Sequence, residues 1–157
     1  MKVGDLMTAN VIKAGPKERI KEAARRMAEA GISGVPVVDE SGKLVGMLSE
    51  SDIVGAVKKH TKVLKMVYPS LSMVSVSFVE DDVQKEISKA MHEVADLKVQ
   101  DIMHEKVLTV KPGDDLSVAV NLMNAHNVNR LPVVSDDSLV GILSRGDVVR
   151  GISKGRD

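Results

Sequence analysis

Two serine–aspartate pairs are the residues of this chain best placed to do chemistry. Ser49-Glu50-Ser51-Asp52 and Ser144-Arg145-Gly146-Asp147 share the spacing Ser-x-x-Asp, and each precedes an apolar run. At such a place Ser-x-x-Asp is a variant of the capping box, in which serine and acid satisfy backbone N–H groups that a helix start leaves unpaired. The same arrangement suits a ligand. A helix N-terminus attracts anions through those N–H groups and the helix dipole. A serine hydroxyl there can meet a phosphate, and an aspartate one turn on can accept both hydroxyls of a ribose as charge-assisted hydrogen bonds. Both readings stay open on these residues alone.

The pairs sit at matching places in a duplicated sequence. Gly31-Ile-Ser-Gly-Val-Pro-Val-Val-Asp39 and Leu44-Val-Gly-Met-Leu-Ser49 return as Val128-Asn-Arg-Leu-Pro-Val-Val134 and Leu139-Val-Gly-Ile-Leu-Ser144. Val3-Gly-Asp-Leu-Met-Thr8 returns as Val99-Gln-Asp-Ile-Met-His104, an offset of 96 that also holds for Pro16/Pro112, Met27/Met123 and Pro36/Pro132. Past the turn the offset is 95, because Asp39-Glu-Ser-Gly-Lys43 has lost one residue in Ser135-Asp-Asp-Ser138. A duplicated fold tolerates a length change best in a turn. Two copies are too few for a solenoid and suggest a closed pair.

The elements that must position the pairs follow from periodicity. Val11-Ile12 reads as a short strand entering Gly15-Pro16, with Pro16 in the first turn of a helix, where a missing N–H costs nothing. Ile20, Ala23, Ala24 and Met27 form one buried helical stripe that stops at Gly31, and Leu116, Ala119, Val120 and Met123 repeat it to Asn127. Val35 to Val38 and Leu44 to Leu48, around the turn cluster Asp39–Gly42, predict a hairpin buried on both faces. Ser49 opens a second helix, from Glu50 to about Lys59. Each copy is thus β-α-β-β-α, a unit with too little layer of its own, so the copies should pack on each other. Between them, Tyr68-Pro69-Ser70 marks a break and Ser70 to Val79 reads as extended. Glu80-Asp81-Asp82 suits a helix start, and Val83, Ile87, Ala90, Met91 and Val94 continue as a stripe to about Leu97.

Composition narrows the function. The chain has 157 residues, 43% of them hydrophobic, enough for a domain-sized core. Its 22 basic and 22 acidic residues cancel, so no global field favours nucleic acid or an anionic membrane. The local basic run Lys58, Lys59, His60, Lys62 and Lys65 reads as a solvated helix end rather than a nucleic-acid patch. With no cysteine, disulfides, thiolate metal sites and a cysteine nucleophile are excluded. His60, His92, His104 and His126 show no ligand spacing, so no metal is expected. Met1-Lys-Val-Gly-Asp5 lacks an apolar signal core and no apolar run approaches ~20 residues; a cytoplasmic soluble protein is expected. Tyr68 and Phe78 are the only aromatic residues, so a bound base would lie between aliphatic side chains such as Ile32 or Val128.

Asp5-Leu-Met-Thr8, Gly31–Asp39 and Gly46-Met-Leu-Ser-Glu-Ser-Asp52, with their second-copy equivalents, resemble a tandem pair of cystathionine-β-synthase (CBS) domains, the regulatory Bateman module. The resemblance implies an α+β fold of two repeats packed as a pseudo-twofold pair: CBS domain 1 at 1–59, an inserted linker and helix at 60–97, and CBS domain 2 at 98–157. It implies an adenosine ligand in the cleft between the domains, with the Ser-x-x-Asp of one copy facing the strand start of the other. One site would use Ser49 and Asp52 with Val128, Asn129 and Arg130. The other would use Ser144 and Asp147 with Ile32, Ser33 and Gly34. Arg130 stands where the first copy has Gly34, and a guanidinium suits a phosphate; AMP, ADP or ATP is therefore expected at Asp52. The Asp147 site lacks that arginine, although Arg145 is nearby. It is expected to be weaker, empty, or suited to an uncharged or cationic derivative, with S-adenosylmethionine and NAD as further candidates. CBS pairs commonly dimerise through their helices, so a homodimer is expected.

The leading expectation is a ligand-sensing regulatory module without catalytic activity. No nucleophile has a visible base, and no Gly-x-x-x-x-Gly-Lys phosphate loop occurs. The chain begins at the first copy and ends soon after the last helix, so its output is expected to act in trans on an effector protein. The alternative is an assembly or protein-interaction module with vestigial clefts.

Overall fold

The helix and hairpin expected from each copy are both present in a computed structural model, which describes residues 1–61 and 76–155. In chain order the elements are α1 (Val3–Leu6), α2 (Ile20–Ala30), β1 (Gly34–Val38), β2 (Leu44–Ser49), α3 (Glu50–His60), α4 (Val76–Asp96), α5 (Val99–Ile102), α6 (Leu116–Ala125), β3 (Arg130–Ser135), β4 (Ser138–Ser144) and α7 (Arg145–Lys154). They form an α+β fold with two two-stranded sheets, β1-β2 and β3-β4. The chain divides into two compact units. Unit one comprises Met1–Pro16, Val35–Met47 and His104–Asp157; unit two comprises Lys17–Gly34 and Leu48–Met103. Each unit draws on both sequence copies.

Unit one is built around a cluster of Val3, Val110, Ala119, Met123, Leu131, Val133 and Leu143, with Leu6, Met7 and Leu116 packed against it. Val3, the first residue of α1, is 0% exposed there, and its N–H donates to the Asp114 carbonyl at 3.0 Å. Gly151 of α7 lets α1 approach, since a Cβ at that position would lie 2.7 Å from the Leu6 side chain. In unit two, Ile20, Ala23 and Met27 of α2 are buried, as are Ala90 and Val94 of α4, and α4 packs on α2 and α3. Val99 of α5 is also 0% exposed, and its N–H donates to the Glu18 carbonyl at 2.8 Å. The copies have therefore exchanged their leading segments. α1 completes a core made of second-copy residues, and α5 joins first-copy residues. Both short helices are capped by an acid: Asp5 accepts the Lys2 N–H at 2.7 Å, and Asp101 accepts the Lys98 N–H at 2.9 Å.

The predicted stripes face inward, and each helix stops where a left-handed residue can stand. Gly31 has φ 63° and donates its N–H to the carbonyls of Ala28 and Met27. Asn127, its counterpart, takes φ 50°; asparagine is among the few side chains that tolerate this region. The hairpin turns explain the one-residue length difference. In the second copy Asp136 and Asp137 take φ 49° and 64° between the paired Ser135 and Ser138, a two-residue turn of the kind that matches strand twist. In the first, the longer loop is held by Asp39, whose carboxylate accepts the N–H groups of Ser41 at 2.9 Å and Lys43 at 3.0 Å. β1 is buried throughout, as expected for a hairpin covered on both faces.

Several local expectations are corrected. Val11-Ile12 forms no strand. The segment makes one isolated parallel bridge, Ala14 with Val37, through two hydrogen bonds of 3.0 Å, before Gly15-Pro16 turns it away. Each copy is thus α-α-β-β-α, with an isolated bridge where a first strand was expected. Pro16 lies in the turn before α2 rather than in its first turn, because Arg19 keeps an extended backbone (φ −76°, ψ 145°) and the helix begins at Ile20. Residues 76–79 are helical, not extended; residues 70–75 lie outside the described residues. Glu80-Asp81-Asp82 accordingly sits inside α4 rather than at its start. Met91 is 57% exposed and leaves the stripe, which runs from half-buried Val83 and Ile87 to buried Ala90 and Val94. Lys58, Lys59 and His60 form the last turn of α3, as a solvated end would; Lys62 and Lys65 lie outside the described residues. Among the described residues, no helix is long and apolar enough to cross a membrane, and no His/Asp/Glu cluster could hold a metal ion.

Candidate functional site

Both Ser-x-x-Asp sequences fold as complete capping boxes. Ser49 ends β2 with an extended backbone (φ −120°, ψ 162°), and its hydroxyl accepts the Asp52 N–H at 3.2 Å. Asp52 in turn accepts the Ser49 N–H and hydroxyl through one oxygen, Oδ2, each at 2.8 Å. Ser144 does the same at the start of α7 (φ −110°, ψ 163°), with Asp147 N–H to the hydroxyl at 3.2 Å and both return bonds to Oδ2 at 2.7 Å. The capping reading therefore holds in both copies. It uses one carboxylate oxygen of each aspartate, so capping and ligand binding are not exclusive.

The surroundings of the two carboxylates differ. Asp147 is buried, at 6% exposure, and its other oxygen, Oδ1, receives the Arg150 guanidinium. The Thr8 hydroxyl approaches the same oxygen at 3.5 Å. Asp52 is half-buried and lines a hollow of about 650 Å³, shared with Gly55, Ala56, Lys59, His60 and Met103. That volume lies within the range of small-molecule sites, roughly 300–1,000 Å³. The lining is polar and mixed in charge: the carboxylates of Asp52 and Asp101 share it with Lys59 and with His60, whose Nδ1 lies 3.1 Å from Glu93.

The described contacts set the other expected site residues beside the cap of their own copy. In unit two, the Glu50 N–H donates to the Ser33 carbonyl at 3.0 Å, which sets Ile32, Ser33 and Gly34 beside the start of α3. In unit one, the Arg145 N–H donates to the Asn129 carbonyl at 3.0 Å, and Arg130 stands opposite Ser144 in the β3–β4 register. Arg145 does not offer Asp147 the positive charge considered for it. Its Nε donates to the Val128 carbonyl and its Nη2 to the Met123 carbonyl, both at 3.2 Å. The guanidinium thus satisfies a carbonyl in the last turn of α6, where a cation is favoured by the helix dipole, and one in the segment that follows it. Thr8 and Arg150 were not singled out from sequence. A signal for Thr8 was present, since it closes the Asp5-Leu-Met-Thr8 motif and its counterpart is His104. Arg150 carried one as well: the offset of 95 sets it against Gly55.

Known proteins resemble the chain in sequence and in fold. The sequence profile described as CBS domain matches residues 3–59 and 99–154. The protein MJ1426 of Methanocaldococcus jannaschii is 33% identical over 154 residues, covering 97% of this chain and 91% of that protein. The chloroplastic CBS domain-containing protein CBSX2 of Arabidopsis thaliana is 32% identical; the alignment covers 94% of this chain but only 62% of CBSX2. The crystal structure of CBSX2 in complex with AMP superposes with a TM-score of 0.71 at 28% identity, covering 99% of this chain and 98% of that one.

Proposed function

The chain belongs to the CBS-domain family, and from that membership together with its two capped aspartates we propose that it is a non-catalytic regulatory module that binds an adenosine-containing ligand. The observation that carries the reading is Asp52: one carboxylate oxygen completes a cap while the side chain lines a hollow of ligand size. A carboxylate so placed can accept the two vicinal hydroxyls of a ribose. Lys59 in the same hollow supplies a cation for a phosphorylated ligand, AMP, ADP or ATP, beside the Asp101 carboxylate that also lines it. The AMP complex of the related CBSX2 supports the same class. S-adenosylmethionine and NAD remain within the proposed class, and the proposed ligand-binding residues are Ser49, Asp52, Val128, Asn129, Arg130, Ser144, Asp147, Ile32, Ser33 and Gly34. CBS domain 1 is assigned to 1–59, the insert to 60–97 and CBS domain 2 to 98–157.

Signalling to an effector protein in trans and a homodimeric state belong to the same proposal. Exposed Val54 on α3, and exposed Val149 and Ile152 on α7, supply apolar surface for association. The same surface is what favours the second reading, an assembly module with vestigial clefts. Thermal unfolding with AMP, ADP, ATP, S-adenosylmethionine and NAD separates the two. A ligand at 100 times its Kd stabilises by about 2.7 kcal/mol, which raises the melting temperature by several degrees. A shift with at least one of them is expected; no shift with any would favour the assembly module.

A further inference from the structure

The hollow of unit two has one wall on α3 and another on α5, and the two walls bring opposite charges to it. Lys59 comes from the last turn of α3, Asp101 from α5, and Ala56, Ile102 and Met103 supply apolar surface between them. Lys59 and Asp101 are both exposed, and no ion pair joins them or ties either to another of the described residues. His60, the other basic side chain of the lining, has its Nδ1 3.1 Å from a carboxylate oxygen of Glu93. Asp101 accepts the Lys98 N–H through Oδ2 at 2.9 Å; its Oδ1 has no partner among the described residues. Lys59 also stands at the end of a helix where the dipole is negative and anions are disfavoured.

We infer that Asp101 is a specificity residue of this hollow: opposite the single lysine of the lining, it limits the negative charge that a bound nucleotide can carry, so that the monophosphate is taken in preference to the triphosphate. The inference rests on the nucleotide reading above and deepens it by ranking AMP and ATP. It uses the charges of Lys59 and Asp101 and takes nothing from the contacts of Asp52. A terminal phosphate carries a charge of about −1.5 to −2 at neutral pH, much of which one ammonium can offset. Each further phosphate adds negative charge that no second lysine meets, close to Asp101 and to the negative end of α3. The groups are exposed, so each repulsion is screened and small; their sum over the added phosphates is what discriminates. Asparagine at position 101 removes the charge and retains an oxygen for the Lys98 N–H, which separates the capping task from the electrostatic one.

Isothermal titration calorimetry of the whole chain with adenosine, AMP and ATP, in magnesium-free buffer containing EDTA, tests this. The wild type is expected to bind AMP about fivefold to tenfold more tightly than ATP, the size of one or two exposed charge interactions. Asp101→Asn is expected to remove most of that preference by tightening ATP, with adenosine unchanged. Lys59→Ala is expected to weaken AMP towards the affinity of adenosine. Added salt should shrink the wild-type preference, which a purely structural role for Asp101 would not produce. An AMP-to-ATP ratio that is the same in Asp101→Asn as in the wild type would overturn the inference and leave the nucleotide reading intact. So would a wild type that prefers ATP, or unchanged AMP affinity in Lys59→Ala, since the phosphate would then lie elsewhere. No binding of any of the three, by the wild type or either variant, would remove the nucleotide reading and the inference together.

Discussion

The starts of α3 and α7 are the same sentence of sequence with two endings. Both use serine and aspartate to close a capping box, with bond lengths that agree within 0.1 Å. Beyond the cap they part. At α7 the carboxylate is buried and engaged by Arg150 and Thr8, both in its own unit. At α3 it lines a hollow, and Gly55 stands three residues further on. A duplicated motif thus retains its local structural task in both copies while its second task is free to diverge. The cap needs one carboxylate oxygen; whatever is done with the other is decided by neighbours outside the motif.

That comparison can be broken or sharpened by substitution. The largest effects should fall on what the copies share. Leu48 and Leu143 occupy matching core positions and are both 0% exposed; Leu48→Ala and Leu143→Ala should each destabilise by about 2–5 kcal/mol in denaturant unfolding. A difference between them larger than that span would show that the two cores are not equivalent. Next come the caps. Asp52→Ala should destabilise by at least about 1 kcal/mol, the loss of the cap. Asp147→Ala should destabilise by about 2–3 kcal/mol, since it also removes the partner of Thr8 and Arg150. A loss at Asp147 no larger than about 1 kcal/mol would mean that the contacts on Oδ1 contribute nothing. A smaller contrast is expected at the helix stops. Gly31→Ala forces a Cβ into φ 63° and should lose about 1 kcal/mol. Asn127→Gly should leave the melting temperature almost unchanged.

The smallest effect concerns pH. The Ser41 hydroxyl, followed by the Lys43 and Ser41 backbone N–H groups, holds the Asp39 carboxyl below the ordinary carboxylate range. A carboxyl lowered on folding stabilises fully above its unfolded pKa, about 3.9, and loses that contribution as pH falls through the lower folded value. Asp39 has no acidic counterpart in the second copy, where Ser135 stands. Asp39→Asn should therefore bring stability closer to that of the wild type at pH 3 than at pH 7, as read from unfolding midpoints. A gap that widens on acidification would contradict the assignment.

What could be read from the sequence and what could not divides along the same line as the comparison. The Ser-x-x-Asp caps, the Ile20–Met27 stripe and the Val35–Leu48 hairpin are local patterns, set by periodicities of a few residues, and all three are present. Val3 and Val99 are equally apolar and equally buried, but their partners lie in the other copy, and no local period announces an exchange of segments. Val11-Ile12 failed as a strand because one bridge supplies only two hydrogen bonds. Glu80–Asp82 failed as a helix start because the helix continues back to Val76, where serine and phenylalanine alternation resembled a strand. Arg145 looked available to an anion because sequence shows its charge and not the carbonyls of Met123 and Val128 that its guanidinium meets. Arg150 shows the converse: aligned against Gly55 it was visible, but its meaning needed the distance to Asp147.

The central claim is that Asp52 holds a ligand by its sugar as well as capping α3. Calorimetric titration of the wild type and of Asp52→Asn with AMP tests it most directly, because asparagine retains much of the cap. Hydrogen bonds to a charged group contribute about 1.5–3 kcal/mol each, so the substitution should weaken AMP binding by roughly 2–4 kcal/mol, about 30- to 1000-fold. An Asp52→Asn protein that binds AMP as the wild type does, and differs only in a lower melting temperature, would leave Asp52 a cap and nothing more.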